Sequence, residues 1–226
     1  TRTTPPEAAV TWVFDNLDSV LDALAEHVVY ALIPVLLGLV FAIPLGWVAN
    51  RNATLRTIMT NAAGLLYTVP SLALFVFMPP LLGTQILDPV NVIVALTVYT
   101  VALLVRTVSD ALSAVPGHVV DAANAMGYTP VRRFVGVELP LAVPVIVAGL
   151  RVAAVSTISL VTVGAVIGFG GLGLLFTEGF NRSNDAQIVS GIVLVLLLAL
   201  VVDSALLLGG RLLTPWQRAR TGKAGA

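Results

Sequence analysis

Few side chains in this sequence could do chemistry, and those few stand out because their surroundings are hydrocarbon. Arg151 and Asp203 each lie inside a long apolar stretch. A charge there is costly, so it pairs, faces a cavity or reaches back to the interface. By helix rise Arg151 sits about 15 Å past Leu141, and Asp203 precedes Gly209 by six residues. They read as an ion pair, as the lining of an inner vestibule, or as two side chains snorkelling separately. Arg106 and Asp110, at i and i+4, read as a local pair at a membrane edge. Gly168, Gly170, Gly171 and Gly173 invite comparison with a phosphate cradle. That reading needs a preceding strand and a following helix carrying Lys-Ser/Thr, and the chain has neither, nor any GxxxxGK[ST]. The run reads instead as a backbone break, forming part of an outer gate or simply permitting close packing. His27 and His118 are isolated, outside metal-ligand spacing, and are expected at a surface or interface. Cysteine is absent, which excludes disulfides, thiol catalysis and Cys-based metal sites. No catalytic residue and no metal site emerge.

The elements that must position these groups are membrane helices. Of 226 residues, 58% are hydrophobic and 11% charged, against roughly 25% charged in a soluble domain. Mean hydropathy is +0.98. A spanning helix needs about 20 apolar residues, and five stretches qualify: 28–49, 55–82, 90–111, 141–168 and 188–209. The second and fourth are long enough to be tilted or broken. Pro70 interrupts the second, and Pro79-Pro80 are expected to end it. Gly38, Ala42 and Gly46, and Gly164 with Gly168, follow the small-xxx-small spacing of helix contacts. Residues 1–27 lack the pattern of a cleavable signal peptide. Their apolar positions Val10, Val13, Phe14, Leu17, Leu21 and Leu24 fit an amphipathic surface helix, a solvated overhang, or an extension of the first span. Trp12, Trp47 and Trp216 fall near span ends and read as interfacial anchors.

Loop charges orient the spans. Arg51, Arg56, Arg132, Arg133, Arg211, Arg218, Arg220 and Lys223 share one face, whereas the other has only Arg2 and Arg182 among many acids. The positive-inside rule therefore puts the 112–140 insert and the 211–226 tail in the cytoplasm, and the amino terminus outside. The zero formal net charge favours no nucleic-acid partner.

The insert is the one polar segment with internal order. Asp121-Ala122-Ala123 is followed by three residues, Gly127, nine residues, then Val137-Glu138-Leu139-Pro140. Asp121 to Met126 reads as a helix opening with its acid at the positive dipole end. Gly127 turns the chain, and Tyr128-Thr129-Pro130 restarts a helix that Thr129 caps. Arg132 and Arg133 are expected to face water or headgroups, and Leu139-Pro140 to close the unit before the fourth span.

This spacing resembles the EAA loop of ABC importer permeases, with Asp121 in place of the usual Glu. The resemblance covers roughly Leu36 to Trp216. Tyr67-Thr68-Val69-Pro70-Ser71-Leu72-Ala73-Leu74, Gly127-Tyr128-Thr129-Pro130, Glu138 to Ala142, Ala148 to Arg151 and Ala165 to Gly173 are similar to permeases for quaternary-ammonium osmoprotectants. Methionine-importer permeases share the loop and the glycine run, so a methionine or other amino-acid cargo is the alternative.

The resemblance implies an all-α integral membrane protein with the type I ABC importer transmembrane fold: five core helices, here within 28–210, and a cytoplasmic coupling helix. It implies no cofactor on this chain, with ATP and Mg on a separate ATPase. The expected partners are two ATPase subunits, a second permease subunit (homologue or second copy), an extracytoplasmic binding protein and lipid. Coupling to the ATPase would fall on Asp121, Ala122, Ala123, Gly127, Tyr128, Thr129, Pro130, Arg132, Arg133, Leu139 and Pro140. The pathway or gate would involve Pro70, Ser71, Arg151, Gly168, Gly170, Gly171 and Asp203. An intramembrane enzyme would need clustered aspartates or a membrane-embedded Ser and His, and a secondary transporter would leave the insert without purpose.

Overall fold

The computed structural model of the chain describes residues 6–216, and the secondary structure among them is helical. Arg2, Arg218, Arg220 and Lys223, used above for orientation, lie outside the described residues. In chain order the elements are α1 (Pro6–Asp15), α2 (Leu17–Ala49), α3 (Ala53–Tyr67), α4 (Ser71–Leu82), α5 (Pro89–Ser113) and α6 (Gly117–Ala125). There follow α7 (Pro130–Arg133), a π-helical turn (Phe134–Glu138), α8 (Leu139–Gly164), a 3-10 turn (Ala165–Ile167), α9 (Gly173–Asn181) and α10 (Asp185–Leu213). Among the described residues four helical runs are long and apolar enough to cross a membrane, and α3 with α4 makes a fifth if that bent pair counts as one span.

Three spans form the core. Small residues on α2 let α5 approach: a Cβ on Gly38 would lie 2.3 Å from Thr100 Cγ2, and one on Gly46 would lie 2.6 Å from Val108 Cγ1. Ala42 between them is fully buried. The α5–α8 seam repeats the device, with Gly149 against Thr107 and Thr100 Oγ1 3.3 Å from Thr157 Oγ1. Gly210 of α10 meets Val147 of α8 in the same way. The atoms nearest a Cβ on Gly164 belong to Phe169 of its own following loop, and Gly168 lies against Leu87 of the α4–α5 loop, so this pair meets loops and not a facing helix.

The rims differ from the spans expected. The first span begins at Leu17, and α1 lies against α10, where Ser190 Oγ donates to the Ala9 carbonyl at 3.0 Å. The second stretch bends by 98° between Tyr67 and Ser71. Pro70 precedes α4 in extended backbone (φ −59°, ψ 129°), where its missing donor costs nothing. Pro79 and Pro80 do not end α4, which continues to Leu82 and stops at Gly83. Proline's fixed φ is helical, so the backbone stays helical there although two donors are lost. At its twelve residues, α4 is about 18 Å long, less than a bilayer core. Helix α3 fully buries no side chain, and only Leu55, Arg56, Met59, Thr60 and Ala63 are half-buried.

Candidate functional site

The polar insert folds into a shelf at one end of the spans. Helix α6 starts at Gly117, so Asp121 is its fifth residue and not the opening acid expected from the sequence. The start lies earlier because Pro116 already supplies the extended residue from which the helix launches (φ −61°, ψ 132°). The helix ends in a Schellman motif: Tyr128 N–H bonds Ala123 O at 3.1 Å and Gly127 N–H bonds Asn124 O at 3.0 Å. Gly127 takes φ +78°, a left-handed conformation that a side chain would penalise. Thr129 then caps α7, accepting from Arg132 N–H at 3.4 Å, with Pro130 in the first turn.

Leu139-Pro140 does not close the unit. From Pro130 to Ile167 the chain is one helical run of 38 residues. Pro140 has no N–H for the Gly136 carbonyl and its ring would crowd that oxygen in a regular helix. The chain widens into a π turn instead, with Leu139 N–H bonding Phe134 O. The shelf is thus the root of α8 itself.

Side chains then fix the angle between α6 and that root. Arg133 ion-pairs with the buried carboxylate of Glu138, and its Nη1 donates to Asn124 Oδ1 of α6 at 2.6 Å. Arg133 therefore faces inward, contrary to the water-facing role read from the sequence, because partners five residues ahead and nine behind converge on it. Arg132 lies over the Tyr128 ring at 4.7 Å. Phe134 stacks on Trp47 of α2 at 4.9 Å, and Arg51 covers the same indole at 4.6 Å. Trp47 is thereby a bracket between α2 and the shelf. Ala123 is buried against this framework, while Asp121, Ala122 and Gly127 are exposed. Met126 and Val131 project at 68% and 59% exposure, an apolar tip with no partner on this chain's own spans.

At the opposite end, Gly171 and Gly173 of the glycine run are buried, Gly170 is half-buried and Gly168 is exposed. Glu26 accepts from Gly171 N–H at 3.1 Å, and a Cβ on Gly170 would fall 1.7 Å from that carboxylate oxygen. His27 is fully buried and not at a surface. Its Nε2 is 3.1 Å from the Ile158 carbonyl and its Nδ1 accepts from Leu172 N–H at 3.2 Å. Those partners are distant in sequence, so no local pattern marked His27 for burial.

Arg151 and Asp203 meet in a two-pronged pair, Nε to Oδ1 and Nη2 to Oδ2, both 2.7 Å, joining α8 to α10. Asp110 pairs with Arg56 of α3 at 2.7 Å and only loosely with Arg106, at 4.0 Å. Ser71 begins α4, and Tyr99 OH donates to the Val69 carbonyl at the break beside Pro70. Among the described residues there is no cluster of His and acids able to hold a metal ion.

Comparison with known proteins gives a consistent result. A family model described as binding-protein-dependent transport system inner membrane component matches residues 35–216. The choline transport system permease protein OpuBB of Bacillus subtilis is 37% identical over 84% of this chain and 86% of its own length. The glycine betaine/carnitine/choline transport system permease protein OpuCB of the same organism is 32% identical over 91% and 94%. Among solved structures, an inward-facing MetNI methionine ABC transporter superposes with TM-score 0.81 at 24% identity, over 88% of this chain and 98% of that one. That last likeness speaks for the fold.

Proposed function

The chain belongs to the family of binding-protein-dependent transport system inner membrane components, and from that premise we propose that its cargo is a small quaternary-ammonium osmoprotectant. It is a multi-pass membrane protein and the permease subunit of an ABC importer, a transport component with no chemistry of its own. The cargo reading rests on relatives named for choline, glycine betaine and carnitine. The MetNI likeness at 24% identity argues no cargo.

The observation that carries the mechanism is the shelf. An exposed α6 with an apolar tip is locked through Asn124, Arg133 and Glu138 to the root of α8. In the proposed orientation this end faces the cytoplasm, as loop arginines support, and the amino terminus lies outside. Two ATPase subunits, which carry ATP and Mg, engage one shelf on each of two permease subunits, and an external binding protein delivers the solute. Closure of the ATPases pushes Met126 and Val131, and the helical run from Pro130 to Ile167 transmits the displacement. Pro70, Ser71 and the Arg151–Asp203 pair then belong to the elements that rearrange as access alternates, while the glycine run, tied to Glu26 and His27, stays in place.

The test is Gly127→Asp, with Arg132→Glu beside it, in vesicles containing the whole importer. Insertion and subunit content stay normal, ATP hydrolysis continues, and solute uptake collapses. Unchanged uptake would refute the shelf as the coupling element, and uptake of methionine but no quaternary ammonium would refute the cargo.

A further inference from the structure

We propose that the groove bounded by α3, α5 and α8 is a water-filled passage selecting small zwitterions, with Arg106 as the group that recognises their carboxylate; this rests on the permease reading above. Arg106 stands where two cavities adjoin. One, of about 340 Å³, is bordered by Arg56, Thr57, Thr60, Asn61 and Asp110. The other, of about 480 Å³, is bordered by Gly64, Tyr67, Gly149 and Val152. Helix α3 turns Thr57, Thr60 and Asn61 toward the first of them. Thr57 and Thr60 satisfy their hydroxyls on Ala53 O and Arg56 O. The exposed amide of Asn61 has no protein hydrogen bond among the described residues. An exposed amide on a span is costly against hydrocarbon and stable against water.

Charge singles out Arg106. Asp110 is shared by Arg56 at 2.7 Å and Arg106 at 4.0 Å, so the three groups carry one net positive charge. It resides on Arg106, whose side chain is 70% exposed and the more loosely held of the two. Arg151, in contrast, is neutralised by both oxygens of Asp203. A guanidinium fork held only loosely, at 4.0 Å from Asp110, is open to a carboxylate. In the same cavity Tyr67 offers a ring, braced edge-on by Tyr99 at 5.8 Å, and an aromatic face attracts a trimethylammonium group. Glycine betaine and carnitine carry both halves, whereas choline carries only the cation.

The absence of cysteine from the chain makes the test direct. In the assembled importer, Asn61→Cys is treated with sulfonatoethyl (anionic) or trimethylammonioethyl (cationic) methanethiosulfonate. Relative to their rates on a free thiol, the anionic reagent reacts at least about fivefold faster, as one nearby positive charge demands. Adding Arg106→Gln abolishes that preference and Arg106→Lys keeps it. No reaction with either reagent, or a preference indifferent to Arg106→Gln, would overturn the proposal. In uptake assays Arg106→Gln lowers the glycine betaine to choline ratio about tenfold, and Arg106→Lys restores it; an unchanged ratio would overturn the selectivity. Wild-type vesicles taking up none of these solutes would instead refute the cargo reading, and the reagent preference would still judge the charge of the groove.

Discussion

The two ends of α8 are both held by a carboxylate, yet they are built to opposite purposes. At the shelf end, Glu138 holds Arg133, which holds Asn124, and the outermost residues Met126 and Val131 remain exposed. At the glycine-loop end, Glu26 and His27 hold backbone N–H groups, and Phe169, Leu172 and Leu175 are buried. Side chains binding side chains fix an angle while leaving a surface free. Side chains binding a glycine backbone draw the loop into the core. In the proposed function the first end transmits force through the face it presents, and the second holds its loop against the core.

Substitutions break or sharpen this contrast when uptake and thermal stability are measured together. The largest effect is expected from Glu138→Ala, which leaves Arg133 without its carboxylate and removes about 3 kcal/mol. Uptake falls further than that loss explains, because α6 and α8 then move separately; ATP hydrolysis persists. Next comes His27→Ala, which orphans the Leu172 N–H and opens a void, costing about 2–4 kcal/mol. Here melting temperature and uptake fall in parallel, with no excess uncoupling. Gly170→Ala is smaller, about 1–3 kcal/mol, since the new methyl displaces Glu26. If Gly170→Ala kept its melting temperature but lost uptake, the glycine loop would be a moving part and the contrast would fail. Arg132→Ala loses about 0.5–1 kcal/mol of contact with Tyr128, visible as a small drop in coupling efficiency. Smallest of all, Asp121→Glu alters an exposed position by less than about 0.5 kcal/mol, and a fall in uptake there would mean the carboxylate itself is gripped by the partner.

Much of this was legible from residue spacing, for physical reasons that also mark where legibility stops. Gly38, Ala42 and Gly46 announce a seam because helices approach only where side chains are small, and α5 does lie there. The α6–Gly127–α7 turn was readable because a left-handed residue, a cap and a first-turn proline are local signals. Leu139-Pro140 misled, since a proline normally marks a boundary and the π turn absorbs it. Arg133 misled too: charges read as solvated until Asn124 and Glu138 are brought beside it by the fold. The pairing of Arg151 with Asp203 could be suspected from cost alone, but the alternatives stood open until α10 was seen against α8. His27 gave no signal, because its acceptor on α8 is 131 residues away.

Helix α3 fully buries none of its fifteen residues within its own chain, although Arg56–Asp110 and Tyr67–Tyr99 tie it to α5. The rest of its ordering is supplied by its surroundings, and that share of the free energy depends on their concentration. Melting of this region should shift with protein and lipid content while the α2–α5–α8 core holds a fixed temperature, and amide exchange should be fastest along α3 in dilute detergent. A chain of this kind is thermodynamically an open system: what it is at equilibrium is decided partly by mass action with its neighbours.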